Sequence, residues 1–85
     1  MSKFKELEAI YANQKSFYKK AYTEQEKDIK NLYSYKTLVA TIQGQECRVY
    51  GTYSPTTLRH IKEFLKQEGF TADTKKQIIK DYIYN

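Results

Sequence analysis

The fold turns on how residues 2–32 are read, "SKFKELEAIYANQKSFYKKAYTEQEKDIKNL". No Gly or Pro occurs from Ser2 to Asn31, and Phe4, Leu7, Tyr11, Tyr18, Tyr22, Ile29 and Leu32 recur at steps of three, four or seven. An apolar stripe at that spacing predicts an amphipathic helix. Ser2 is placed to cap it, and neighbouring Glu and Lys residues populate its outer face. Gln14 and Gln25 interrupt the stripe and "ANQKS" (12–16) is polar. The stretch therefore reads either as one helix of about 40 Å or as two shorter helices with a bend. A heptad register can also be drawn, but polar residues at its core positions argue against a strong coiled coil.

Beyond this arm, "YSYKTLVATI" (33–42) and "ECRVYGTY" (46–53) are rich in Tyr, Thr and Val and flank "QGQ" (43–45). This pattern predicts a β-hairpin over 32–53. With Gly44 and Gln45 at the turn, Ile42 faces Cys47, Ala40 faces Val49 and Leu38 faces Gly51, which gathers the small and aliphatic residues on one surface. Thr37, Val39, Thr41, Arg48, Tyr50 and Thr52 fall on the other. Two strands are marginal alone, so helices are expected over the aliphatic side.

Those helices follow. In "SPTTLRHIKEFLKQEGF" (54–70), Ser54 caps a helix that Pro55 opens, Leu58, Ile61, Phe64 and Leu65 line its buried face, and Gly69 with Phe70 ends it. A last short helix runs from Asp73 to about Tyr82, with Ile78, Ile79, Tyr82 and Ile83 at its apolar steps. The expected architecture is a single α+β domain: a helical arm over 1–31, the hairpin over 32–53, and a helical pair over 54–85 packed on the hairpin.

Composition narrows the chemistry. In 85 residues, nine Tyr and four Phe with no Trp supply most of the large apolar side chains, so the core relies on rings whose hydroxyls reach water or a backbone acceptor. Fifteen Lys and Arg against ten Asp and Glu give +5, a bias toward anionic partners such as nucleic acid that also serves solubility. One Cys and one His allow no internal disulfide and no zinc site of the usual kind. No apolar run is long enough for a membrane span, and the N-terminus has no hydrophobic block of the signal-peptide type. These features predict a cytoplasmic protein without a membrane partner. A Gly-rich phosphate loop, a serine elbow and paired carboxylates at a catalytic spacing are missing, so the expectation is a non-enzymatic protein with no cofactor and no metal.

Two sets of residues are candidates for binding. At the start of the third element, free helix amides after Ser54 together with Thr56, Thr57, Arg59 and His60 would suit phosphate or carboxylate. The plainer reading is that Ser54 and Thr57 satisfy their own helix terminus while Arg59 pairs with Glu63. A lone histidine without a neighbouring carboxylate or nucleophile reads as a hydrogen-bonded packing residue rather than a catalyst. On the outer hairpin face, Tyr50 with Tyr35 or Tyr53 would stack bases while Arg48 and Lys36 neutralise backbone phosphate. The alternatives there are cover by the first helix or a homodimer contact.

The segments "LYSYKTLVATI", "YGTYSPTTLRHIKEFLKQEGF" and "TKKQIIKDY" resemble a small family of uncharacterised proteins encoded by bacteriophages, plasmids and related mobile elements. The resemblance covers roughly Leu32 to Tyr82, and its most distinctive part is Thr56, Thr57, Arg59 and His60. The resemblance brings no established function; for a small chain of this kind without catalytic groups, the expectation is an accessory protein that acts by binding nucleic acid or a nucleic-acid-bound host machine, with inhibition of a host defence such as CRISPR in the same class. The other expectations are a homo-oligomeric module assembled through the first helix, and an anion or nucleotide sponge using the Ser54 to His60 helix start.

Overall fold

In a computed structural model, residues 3–11, 17, 19–51 and 54–83 are described. They form strands β1 (Lys3–Glu6), β2 (Ala21–Glu26), β3 (Ile29–Ser34), β4 (Thr37–Gln43) and β5 (Glu46–Val49), followed by helices α1 (Pro55–Gln67) and α2 (Lys75–Tyr82). The strands make one antiparallel sheet in the order β1-β2-β3-β4-β5. The long N-terminal helix expected over 2–31 is therefore overturned: strands come first, and the α+β class is met by a five-stranded sheet and two helices. Ser2, Gln14, Tyr18, Thr52 and Tyr53, used in that reading and in the hairpin reading, lie outside the described residues.

The helical spacing misled for a physical reason. The apolar residues of the stripe come from separate elements, Phe4 from β1, Leu7 and Tyr11 from the segment after it, Tyr22 from β2 and Ile29 with Leu32 from β3, so their spacing along the chain is not that of one helix. Glu6 and Tyr22, and then Tyr22 and Tyr33, are cross-strand partners on one face of the sheet. Hairpin pairing to β4 and β5 completes a surface large enough to bury one side, which a two-stranded ribbon could not do. Turn punctuation was also hidden. Lys27 (φ 55°) opens the β2–β3 turn, and Tyr35 (φ 51°) with Lys36 (φ 69°) forms the two-residue β3–β4 turn, where Asn-Gly would be the usual signal.

The β4–β5 register places Ile42 opposite Cys47 and Ala40 opposite Val49 around Gly44 (φ 61°). The face assignment of β4 differs at one point. Between β3 and β4 the register slips, with Ala40 opposite Leu32 and Leu38 opposite Tyr33, so Val39 is the extra residue of a bulge. Val39 is buried beside Ala40 instead of lying on the outer face, and Leu38 is turned outward.

Helix α1 begins as its residues dictate. The Ser54 side chain accepts from the Thr57 N–H (3.3 Å) and Pro55 occupies the first turn. It ends in a Schellman motif, in which the Phe70 N–H donates to Leu65 O (2.8 Å) and the Gly69 N–H to Lys66 O (3.1 Å), with Gly69 at φ 87°. Thr74 caps α2 through the Gln77 N–H. Both helices cover the sheet face that carries Ala21, Leu32, Ala40, Ile42 and Val49. Phe17, Ile61, Phe64, Leu65, Ala72 and Ile78 complete the core. Ile83, just past α2, bridges Val49 in parallel, which covers part of the β5 edge.

Candidate functional site

The structure divides the residues singled out at the start of α1. Thr56 and Arg59 are exposed, as is Ser54, whose hydroxyl is committed to its own helix. Thr57 and His60 point inward. The Ser34 hydroxyl shares hydrogen bonds with Thr57 Oγ1 (3.1 Å) and His60 Nδ1 (2.8 Å), and His60 is only 2% exposed. The expected Arg59–Glu63 pair is not made. Glu63 is buried and its carboxylate accepts from the Tyr11 N–H (2.9 and 3.2 Å) and the Gln67 amide (2.6 Å). The imidazole and the Thr57 hydroxyl are thus engaged inside the molecule, while Thr56 and Arg59 face outward.

A different site forms where the β3–β4 turn meets the chain entering β2. Phe4, Lys19, Lys20, Tyr22, Tyr33, Tyr35 and Lys36 line a groove of about 700 Å³ whose surface is mostly apolar. Four rings and three ammonium groups meet there, and among the described residues no carboxylate lines it. Phe4 and Tyr33 pack with ring centroids 5.4 Å apart and planes tilted by 55°. The Lys20 ammonium lies 5.7 Å from the centroid of the Tyr35 ring, within cation–π range. Two backbone bonds fix this wall: the Tyr35 N–H donates to Lys20 O (2.9 Å), and the Lys20 N–H to Phe17 O (3.0 Å).

Backbone strain collects at the same place. Among the described residues, the non-glycine positions with positive φ are Lys19 (62°), Lys27, Tyr35 and Lys36, and all but Lys27 line the groove. Each such position costs on the order of 1 kcal/mol, and strain of this kind persists where the surrounding structure over-determines it. A turn built from Tyr-Lys rather than Asn-Gly gives up stability and places a ring and a cation at the groove mouth.

Below the groove, the outer sheet face carries a line of hydrogen bonds. The Tyr50 hydroxyl donates to Thr41 Oγ1 (2.9 Å), Thr41 to Asn31 Oδ1 (2.8 Å), and the Asn31 amide to Glu24 Oε1 (3.2 Å), which also accepts from the Tyr33 hydroxyl (3.2 Å). Burial, then the hydrogen bond and charge of Glu24, push the Tyr33 phenol above its ordinary value, so it stays a neutral donor. Arg48 sits in the edge strand, exposed, with Glu46 at 3.7 Å. Of the outer-face residues expected to bind, Lys36 and Tyr35 belong to the groove, whereas Arg48 and Tyr50 do not line it. Phe4, Lys19, Lys20 and Tyr22 sat inside the misread helical arm, and Tyr33 at the start of the predicted hairpin. The repeated Tyr and Lys of "YKKAY" (18–22) were the signal.

Among the described residues, no His, Cys, Asp or Glu side chains gather in a group that could hold a metal ion, and no helix is long and apolar enough to cross a membrane. Fold and groove together define a small α+β protein with a one-sided sheet and a cationic, aromatic cleft at its end. The chain belongs to a family of unknown function (DUF8033), whose pattern it matches over residues 5–81. No curated protein and no solved structure matches it.

Proposed function

We propose that this protein acts without catalysis by binding single-stranded nucleic acid in the aromatic–lysine groove. The observation that supports this is the lining itself: the rings of Phe4, Tyr22, Tyr33 and Tyr35 beside the ammonium groups of Lys19, Lys20 and Lys36. Unpaired bases offer π-faces to such rings, and lysines follow the phosphates; duplex DNA keeps its bases stacked and out of reach. The net charge of +5 agrees with an anionic partner. The resemblance to proteins of phages and mobile elements favours an accessory role in a host cytoplasm, on nucleic acid directly or on a host machine that holds it. Inhibition of a defence complex of the CRISPR type falls within that role.

Fluorescence anisotropy with labelled oligothymidylate at about 50 and 200 mM salt tests this reading. Three lysine–phosphate contacts on a single strand predict a log–log salt slope of about −2. Replacing Lys19, Lys20 and Lys36 together by alanine should flatten the slope and abolish most of the binding. Absence of binding at the lower salt, or binding indifferent to the triple replacement, would overturn the proposal.

A further inference from the structure

We infer that His60 is a positioning residue for the groove: through Ser34 and the Tyr35 ring it holds the Tyr35–Lys36 turn in its ligand-ready form, and protonation of the imidazole releases that turn. The inference rests on the groove being the binding site, and it gives a role to the Thr57 and His60 pair that the groove lining leaves out.

The ring sits directly behind the turn. Its Nδ1 meets the hydroxyl of Ser34, the residue that precedes Tyr35, at 2.8 Å, and Ser34 in turn meets Thr57 at 3.1 Å. Its face and edge contact Tyr35 (centroids 5.9 Å) and Phe17 (4.8 Å, nearly perpendicular). Phe17 O accepts from the Lys20 N–H, and Lys20 O from the Tyr35 N–H, so the imidazole supports the groove wall from both ends. With Nδ1 accepting, the Ser34 hydroxyl donates to the ring and Thr57 donates to Ser34. A proton on Nδ1 removes the lone pair, so the ring must donate to Ser34 Oγ and the Ser34 proton loses its acceptor.

The charges around the ring make that change unfavourable. Lys20, on the chain entering β2, lies close enough to disfavour a second cation. On α1, Arg59 is an exposed cation next in sequence, and Glu63 is three residues on, with its carboxylate bonded to the Tyr11 N–H and the Gln67 amide. Ser34, Thr57, Tyr35 and Phe17 are neutral. Burial first, and Lys20 second, hold the imidazole below its ordinary value of 6.5. Its contribution to the folded turn is therefore complete above that value and is lost as pH falls through the lowered one.

The sign separates this role from direct contact. A histidine that touched phosphate would tighten binding on acidification, whereas this one loosens it. Anisotropy with oligothymidylate should show affinity falling severalfold between pH 7.5 and 5 at constant ionic strength. His60→Gln, which keeps a hydrogen-bonding side chain without a titrating group, should give a flat profile. In the protein without ligand, hydrogen exchange of the Tyr35 amide, corrected for its intrinsic pH dependence, should lose protection on acidification while the Leu32 amide keeps it. Affinity that is constant or rises toward pH 5, a His60→Gln profile that copies the parent, or equal loss of protection at Tyr35 and Leu32 would each overturn the inference. Absence of any binding at pH 7.5 would instead overturn the nucleic-acid reading, and the exchange measurement would still judge the lock.

Discussion

Tyr35 and Lys36 carry the strongest tension between stability and use, since both adopt positive φ with side chains that disfavour it. Replacing them by Asn and Gly should stabilise the fold by about 1 kcal/mol, seen as a melting temperature several degrees higher, while binding of oligothymidylate falls. A ring and an ammonium group are lost in the same step, so stability and affinity move in opposite directions. Ser34 behaves differently. Its hydroxyl is the shared partner of Thr57 and His60, and Ser34→Ala leaves both buried groups short of a hydrogen bond, at a cost of about 1–3 kcal/mol in chemical denaturation. Cys47 tests burial at a single atom. Desolvation pushes its thiol up to about 12, so alkylation of the native protein near pH 8 should be slow and should accelerate on unfolding. By linkage, whatever stability the protonated thiol contributes is present below about pH 9 and is lost as pH rises toward 12.

The C-terminal elements were legible in the sequence because their punctuation is explicit. Ser54-Pro55 opens α1 and Gly69-Phe70 closes it, and Gly44 sets the β4–β5 register. Ser54→Ala should cost about 1 kcal/mol through the lost cap and leave ligand binding unchanged, a combination that an anion pocket at this helix start would not give. The N-terminal elements were not legible. Lys27 and Tyr35–Lys36 turn the chain without Gly or Pro, and the apolar residues at helical steps are contributed by three different strands and the segment after β1. The bulge at Val39 was equally silent, since nothing in "TLVATI" (37–42) marks which residue is extra. Legibility of the site followed that of the elements. Lys36 and Tyr35 were found because they lay in the first strand of the predicted hairpin, whereas Lys19, Lys20, Tyr22 and Phe4 became neighbours of that turn only once β1 and β2 joined the sheet.

At the scale of the molecule, both helices pack on one sheet face, and the other face, with the groove at its end, carries the rings and the hydrogen-bonded line from Tyr50 to Glu24. On the proposed reading the face opposite the helices is the one that binds, so many changes that weaken binding should leave folding intact. A blunt duplex of the same length should bind much less tightly than the single strand, because paired bases cannot enter a cleft walled by Tyr22, Tyr33 and Tyr35. The most direct measurement is an amide chemical-shift map on titration with a short oligothymidylate. The account predicts that the perturbed amides cluster at residues 19–22 and 33–36 and around Phe4, with α2 untouched. Shifts centred instead on the start of α1 or on α2, with the 33–36 turn unaffected, would contradict it.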